Sequence, residues 1–269
     1  MTHKAVRGLT MHLRRTGMHV LTIVGVALNA FALVHADEAP GNNSPTADVK
    51  LNPGAVGRIA AFAPGTRILF QGDSITDGNR GRNADPNHIL GHGYVFIVAA
   101  KFGAAFPEAK LEFLNRGISG HTVLDLQKRW HADTLALKPD VLSILIGVND
   151  NRRNVPFDEF ELTYDKLLTD AKTANPNLKL VLCEPFIVNH LATTPQHGSP
   201  NADIIKRQEI VAKLAKKHQA AFVRFQTALD KATERAPAKH WIWDDVHPTY
   251  AGHQILADEW ERTVREVWK

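Results

Sequence analysis

The 269-residue sequence is poor in cysteine, with Cys183 alone. That excludes an internal disulfide framework and any zinc cage built from thiolates. It is also poor in net charge once its first segment is set aside. The formal charge is +4, and residues 1–36 supply Lys4, Arg7, Arg14 and Arg15 with no Asp or Glu. The remainder carries 28 basic and 28 acidic residues, so nothing in it argues for a nucleic-acid partner. No internal repeat and no low-complexity segment is present. With 22% charged and 44% apolar residues, the chain is not disordered, collagenous or coiled-coil. Its length suits one large domain or two small ones, with enough chain to bury a core.

The basic stretch ending at Arg15 is followed by an apolar run from Val20 to Val34 and by Val34-His35-Ala36. This is the pattern of an export signal cleaved near Ala36, with small or apolar residues where a signal peptidase reads. A run broken by Thr22, Gly25 and Asn29 is short for a membrane span of about 20 residues. Initiation at Met11 would leave the same signal. The expected location is exported, periplasmic or extracellular, with no stable membrane association after cleavage. Residues 37–56 are rich in Pro, Gly, Asn and Asp without periodicity, and read as a linker or N-terminal arm. The rest, 57–269, reads as one domain.

From Arg67 onward short apolar runs alternate with longer amphipathic ones. Strands are expected over Arg67–Gln71, Leu111–Asn115, Val141–Gly147, Leu178–Cys183 and Ala221–Phe225. The run Val141-Leu142-Ser143-Ile144-Leu145-Ile146 is nearly unbroken, as in a strand covered on both faces. After Pro156, suited to a first helical turn, Phe157, Phe160, Tyr164, Leu167, Leu168 and Ala171 share one helical face. Further helices are expected over Asp203–His218 and Gly252–Val267. Strands separated by helices imply an α/β fold: a three-layer α/β/α sandwich around a central five-stranded parallel sheet, wound right-handed. Cys183, in an apolar strand, reads as a buried thiol and not a reactive thiolate.

In open α/β sheets, sites form beyond the carboxyl ends of the strands. The first strand is followed by Gly72-Asp73-Ser74-Ile75-Thr76-Asp77. A serine there can present its hydroxyl at the sheet edge; equally, Asp73 or Ser74 can simply cap a helix. The second strand leads into Asn115-Arg116-Gly117-Ile118-Ser119-Gly120-His121, whose glycines let backbone approach a ligand. The third leads into Gly147-Val148-Asn149-Asp150, where an amide can donate into the same cleft. Near the end stands Trp243-Asp244-Asp245-Val246-His247-Pro248. A carboxylate three residues before an imidazole can hold its Nδ1 and leave Nε2 free as a base. Asp245, at a spacing of two, is the less suited competitor. Ten of the fourteen histidines lie beyond residue 36, so this one gains weight only in combination. Together the four segments supply a nucleophile, a base, an orienter and oxyanion donors, the requirement for acyl transfer. His88 and His92 have a metal-ligand spacing for a helix, but Pro86, Gly91 and Gly93 argue for loop and against a metal.

The blocks GDSIT, NRGISG, GVND and DDVHP, in that order across residues 67–268, resemble the GDSL or SGNH hydrolase family. The resemblance implies a flavodoxin-like SGNH fold and a serine esterase. It places Ser74, Asp244 and His247 as the catalytic triad and Ser74, Gly120 and Asn149 as the oxyanion hole. It implies no metal and no cofactor. Within the family, GDSITDGNR, LGHGYV, LKPDVLSILIGVND and WDDVHPTYAGH are most similar to serine acetylxylan esterases acting on xylo-oligosaccharides. A small-molecule or oligosaccharide ester is the implied partner, and a homo-oligomer is compatible. His121 stands where Asn or a small polar residue is expected, a departure that bears on substrate fit. Asp73, Tyr94 and Trp243 are candidate substrate contacts, with Trp241 behind them; core packing is the competing reading for the aromatics.

Three other functions compete. A lysophospholipase, thioesterase or general short-chain esterase would keep the chemistry and change the substrate, although no long apolar lid is visible. A carbohydrate-binding protein on the same fold would not be labelled by a serine-reactive phosphonate. A metal-dependent phosphoesterase using Asp73, Asp77, Asp150 and Asp244 would be sensitive to chelators.

Overall fold

The computed structural model describes residues 57–188 and 202–269. The expected signal and arm, 1–36 and 37–56, lie outside the described residues. Five strands run β1 (Arg67–Gly72), β2 (Glu112–Asn115), β3 (Val141–Leu145), β4 (Lys179–Cys183) and β5 (Ala221–Val223). The helices are α1 (Ser74–Asp77), α2 (Tyr94–Ala105), α3 (Val123–Asp133), α4 (Val148–Arg152), α5 (Phe157–Ala174), α6 (Ala202–Lys217), α7 (Phe225–Thr233), α8 (Ala238–Trp241) and α9 (Tyr250–Val267). All strand pairs are parallel, in the order β2-β1-β3-β4-β5. The chain direction across the sheet reverses between β1 and β3, the place where such sheets open a crevice.

Alternation along each strand divides the core in two. Ile68, Phe70, Val141, Leu145, Val181 and Cys183 meet α2, α7 and α9 on one face. Leu69, Leu142, Ile144, Leu180 and Leu182 meet α3, α5 and α6 on the other. The three-layer sandwich follows from this, because the central strands carry buried apolar side chains on both faces. Ser143 interrupts the apolar run of β3 for a reason: its Oγ accepts the Nε1–H of the fully buried Trp260 at 3.0 Å. Cys183 is buried and free, and burial pushes its thiol up to about 12.

Element boundaries shift where backbone chemistry intervenes. β3 stops at Leu145 and not at Gly147, which takes φ 130° and caps α4. β5 stops at Val223 because Phe225 begins α7. Pro156 sits one residue before α5, as its cap. α2 carries little polarity contrast (YVFIVAAKFGAA), so it offers no amphipathic pattern to read. His88 and His92 fall in a loop, and among the described residues no group of three or more such side chains could hold a metal ion. No helix among them is long and apolar enough to cross a membrane.

Removing Trp260 takes away a filled volume and leaves the Ser143 hydroxyl with only the Cys183 sulfur, at 3.7 Å. Trp260→Ala is expected to cost about 3–5 kcal/mol, read from urea unfolding, while Trp260→Phe costs less.

Candidate active site

The carboxyl end of β1 delivers Asp73 and Ser74. Asp73 caps α1, its Oδ1 accepting the Ile75 N–H at 3.0 Å. Ser74 is the first helical residue and stays half-buried.

The loop after β2 is stapled to this turn. Asn115 Nδ2 donates to the Thr76 carbonyl at 2.7 Å, and Asn115 Oδ1 accepts the Gly117 N–H at 2.9 Å. Asp77 Oδ2 accepts from both N and Oγ of Ser119 at 3.0 Å, and Arg82 closes a two-pronged bond to the same carboxylate. Burial raises the Asp77 carboxyl, but Arg82 and Ser119 outweigh it and hold it below the usual range. The approach is so close that a Cβ on Gly117 would lie 2.3 Å from the Asp77 nitrogen. Gly120 takes φ 80°, a conformation side chains with a Cβ resist.

The end of β3 joins the same loop. Asn149 Nδ2 donates to the His121 carbonyl at 3.1 Å, which fixes the amide while leaving it a second N–H. Asp150 Oδ1 accepts the Val123 N–H at 2.9 Å at the start of α3. The His121 ring is engaged by the protein: its Nδ1 accepts Arg129 Nε–H at 3.1 Å. Burial and the Arg129 charge push this imidazole down, so it is neutral. Arg129 also reaches the Arg116 and Gly72 carbonyls at 2.7 and 3.3 Å, tying β1 to the second loop.

The base arrives from the other end of the chain. Ile242 and Pro248 form an antiparallel bridge, and Trp243 N–H donates to the His247 carbonyl at 3.1 Å. Within that narrow turn, Asp244 Oδ1 accepts the His247 N–H at 2.7 Å, and Oδ2 lies 2.7 Å from His247 Nδ1. His247 Nε2 lies 2.7 Å from Ser74 Oγ. Burial raises the Asp244 carboxyl, but the backbone and ring hydrogen bonds from His247 outweigh it and keep it ionised. Asp245, the competing acid, is buried with φ 72°, and its carbonyl takes the Val188 N–H.

The site thus holds a hydroxyl, an imidazole and a carboxylate in line. The Gly120 loop is tied to the end of β1 by the Ile118 N–H on the Gly72 carbonyl at 3.1 Å, and Asn149 is tied to that loop by its bond to the His121 carbonyl. Two expected substrate contacts need correction. Asp73 is 1% exposed and Tyr94 0%, so both are interior. Asp73 serves the α1 cap, and the Tyr94 hydroxyl meets Thr76 Oγ1 at 3.1 Å. Trp241 is also packed away, its Nε1–H on the Ala236 carbonyl. Trp243 differs: it is 64% exposed and its ring stacks on the His247 imidazole. Asn115, Arg129 and Arg82 are positioning residues that motif reading passed over, and Asp77, named there only as an acid of the phosphoesterase alternative, is another. Asn115 stood inside a quoted block, but its bonds run to a loop remote in sequence. A separate cavity of about 620 Å³ lies at the opposite edge of the sheet, beside Asp140 and Leu178. It contains none of this machinery.

Comparison with known proteins agrees with this architecture. Residues 70–255 match the GDSL-like lipase/acylhydrolase family. An acetylxylan esterase from Geobacillus stearothermophilus is 34% identical over 217 residues, 76% of this chain and 96% of that protein. The crystal structure of Axe2, an acetylxylan esterase from the same organism, superposes with a TM-score of 0.68 at 33% identity, over 76% of this chain and 96% of that one. LAE5, an alpha/beta hydrolase enzyme from the metagenome of Lake Arreo, gives a TM-score of 0.68 at 30% identity, over 76% and 97%.

The contact between Gly117 and Asp77 leaves no room for a methyl group. Gly117→Ala is expected to destabilise by roughly 1–3 kcal/mol. It should also lower the rate on the order of 10²-fold by shifting the Gly120 loop. Thermal melts and ester turnover on one preparation measure both.

Proposed function

The chain belongs to the GDSL-like lipase/acylhydrolase family and is a carboxylic ester hydrolase; from that premise we propose that it removes O-acetyl groups from xylo-oligosaccharides or related plant-type glycans through an acyl-enzyme. The observation that carries the reading is the run of two 2.7 Å contacts from Asp244 through His247 to Ser74.

In the proposed cycle His247 Nε2 takes the Ser74 proton as Oγ attacks the acetyl carbonyl. The imidazolium that forms is stabilised by Asp244, which also fixes Nδ1 as the protonated nitrogen. Negative charge on the carbonyl oxygen is met by the N–H groups of Ser74 and Gly120 and by Asn149 Nδ2. His247 then protonates the sugar oxygen as its bond to the acyl carbon breaks. Water, deprotonated by the same imidazole, attacks the acetyl-serine and releases acetate. No step calls for a metal or an organic cofactor.

The sugar preference is supported by two things: the relatives named above and the exposed indole of Trp243 beside His247, a face on which a pyranose ring can lie. Export of the enzyme, with cleavage near Ala36, is supported by the basic-then-apolar composition of residues 1–36. It would put the activity where plant-type glycans occur.

Ser74→Ala should leave a folded, inactive protein. Asn149→Ala should lose about 10²–10³ in kcat. Acetate release from acetylated xylo-oligosaccharides, compared with fatty-acid release from a lysophospholipid, tests the substrate. A preference for the lipid would overturn the sugar assignment and leave the serine chemistry standing.

A further inference from the structure

Behind the nucleophile lies a group of polar side chains that the reaction above does not use. Asp73 immediately precedes Ser74, and Asp150 immediately follows Asn149. They are 1% and 0% exposed. Each gives one carboxylate oxygen to a backbone N–H, of Ile75 and Val123 respectively. The other oxygen of each, Oδ2, is buried with no hydrogen-bond partner. The Tyr164 hydroxyl and the Nε and Nη1 of Arg207 are buried and unpartnered too. The charge of Asp150 acts on Asp73 and on Tyr164, and that of Arg207 acts on Asp150. Arg207 is anchored there by Nη2, which donates to the Asp150 and Val155 carbonyls.

Arg207 lies against Asp150, whereas the charge acting on Asp73 is that of Asp150, so an ionised Asp73 would be a buried anion in the field of another. A proton on Asp73 removes that charge and turns an unpartnered acceptor into a donor. We propose that of these two carboxyls Asp73 keeps its proton, while Asp150 is ionised with Arg207 beside it. Asp73 is then a neutral positioning residue that caps the Ser74 turn without setting a second negative charge beside the oxyanion.

The order of acidities agrees. Burial pushes Asp73 up to about 7; the Ile75 N–H opposes the shift and the Asp150 charge adds to it. Burial pushes Asp150 up to about 6, against the Val123 N–H and Arg207. Asp73 is the weaker acid and keeps the proton. The other groups facing this region do not compete for it. Tyr94 of α2 and Tyr164 of α5 are raised well above the usual range by burial, and Cys183 of β4 to about 12. Burial lowers His253 of α9 to about 4, so it is neutral. Arg207 of α6 and Arg129 of α3 remain cations, and His247 faces Ser74 from the other side.

The sign follows. As pH rises through the Asp73 titration, an anion appears next to the Ser74 amide and repels the developing oxyanion. A histidine base gains activity on losing its proton, so the two effects oppose and the profile is a bell. At an effective dielectric of about 20, a unit charge so close to the oxyanion is worth a loss on the order of a hundredfold.

The inference rests on the Ser74 esterase reading, and the experiment separates the two. The measurement is kcat/KM from pH 5 to 9 on a chromogenic acetate ester, corrected for spontaneous hydrolysis. The wild type is expected to fall on the order of a hundredfold above pH 7. Asp73→Asn should abolish that fall and remain far more active at pH 7 than Asp73→Ala, which loses the cap. Asp150→Asn should move the fall to lower pH, because the Asp150 charge that helps keep Asp73 protonated is then gone. A wild type flat to pH 9, an unchanged fall in Asp73→Asn, or equal losses in Asp73→Asn and Asp73→Ala would each overturn the proposal. If Asp150→Asn does not fold, the two Asp73 variants decide. Activity surviving in Ser74→Ala would instead remove the esterase reading itself.

Discussion

The contact between Ser74 Oγ and His247 Nε2 spans 2.7 Å in space and 173 positions in sequence. Neither partner can be placed by its own neighbourhood. Ser74 owes its position to the end of β1, clamped between β2 and β3. His247 owes its position to a turn closed by the Ile242–Pro248 bridge and continued by α9, whose Leu256, Trp260 and Val264 pack on the same face of the sheet as β1. The sheet is therefore the ruler. Its parallel strands end at a common edge, and what they deliver there meets without long loops.

That delivery is held by polar groups taken out of water, which is costly unless each is matched. Asp77 is matched by Arg82, Ser119 and the Arg80 amide. Asn115 uses both ends of its amide to join two loops. Arg129 ties the end of β1 to the loop after β2. Tight backbone approach does the rest, and Gly117 permits it. Behind the nucleophile the matching is incomplete, since Asp73 and Asp150 each keep one buried oxygen without a partner. A proton on Asp73 removes a buried charge from that region and gives it a role.

Motif order made much of the site legible. Ser74, Asp244 and His247 stood in blocks whose spacing put each after a strand or in a tight turn, and the structure brings them into line. The three-layer fold was readable because β3 and β4 are apolar on both faces and α5, α6 and α9 are amphipathic. α2 was not, since a helix apolar nearly all round shows no period. Asp73 and Tyr94 illustrate the other limit. Both stand beside site residues in sequence, and the structure turns both inward.

The amino-acid order alone determined which chemistry was available: a serine behind a strand, a histidine three residues after an acid, and amide donors after two further strands. It did so because local spacing and strand periodicity are short-range properties. Which aromatic faces solvent, which side chains beside the nucleophile turn inward, and which buried carboxylates keep an oxygen without a partner were decided only by the folded chain. Those outcomes depend on burial and on contacts between segments far apart in sequence, and no window of neighbouring residues contains them.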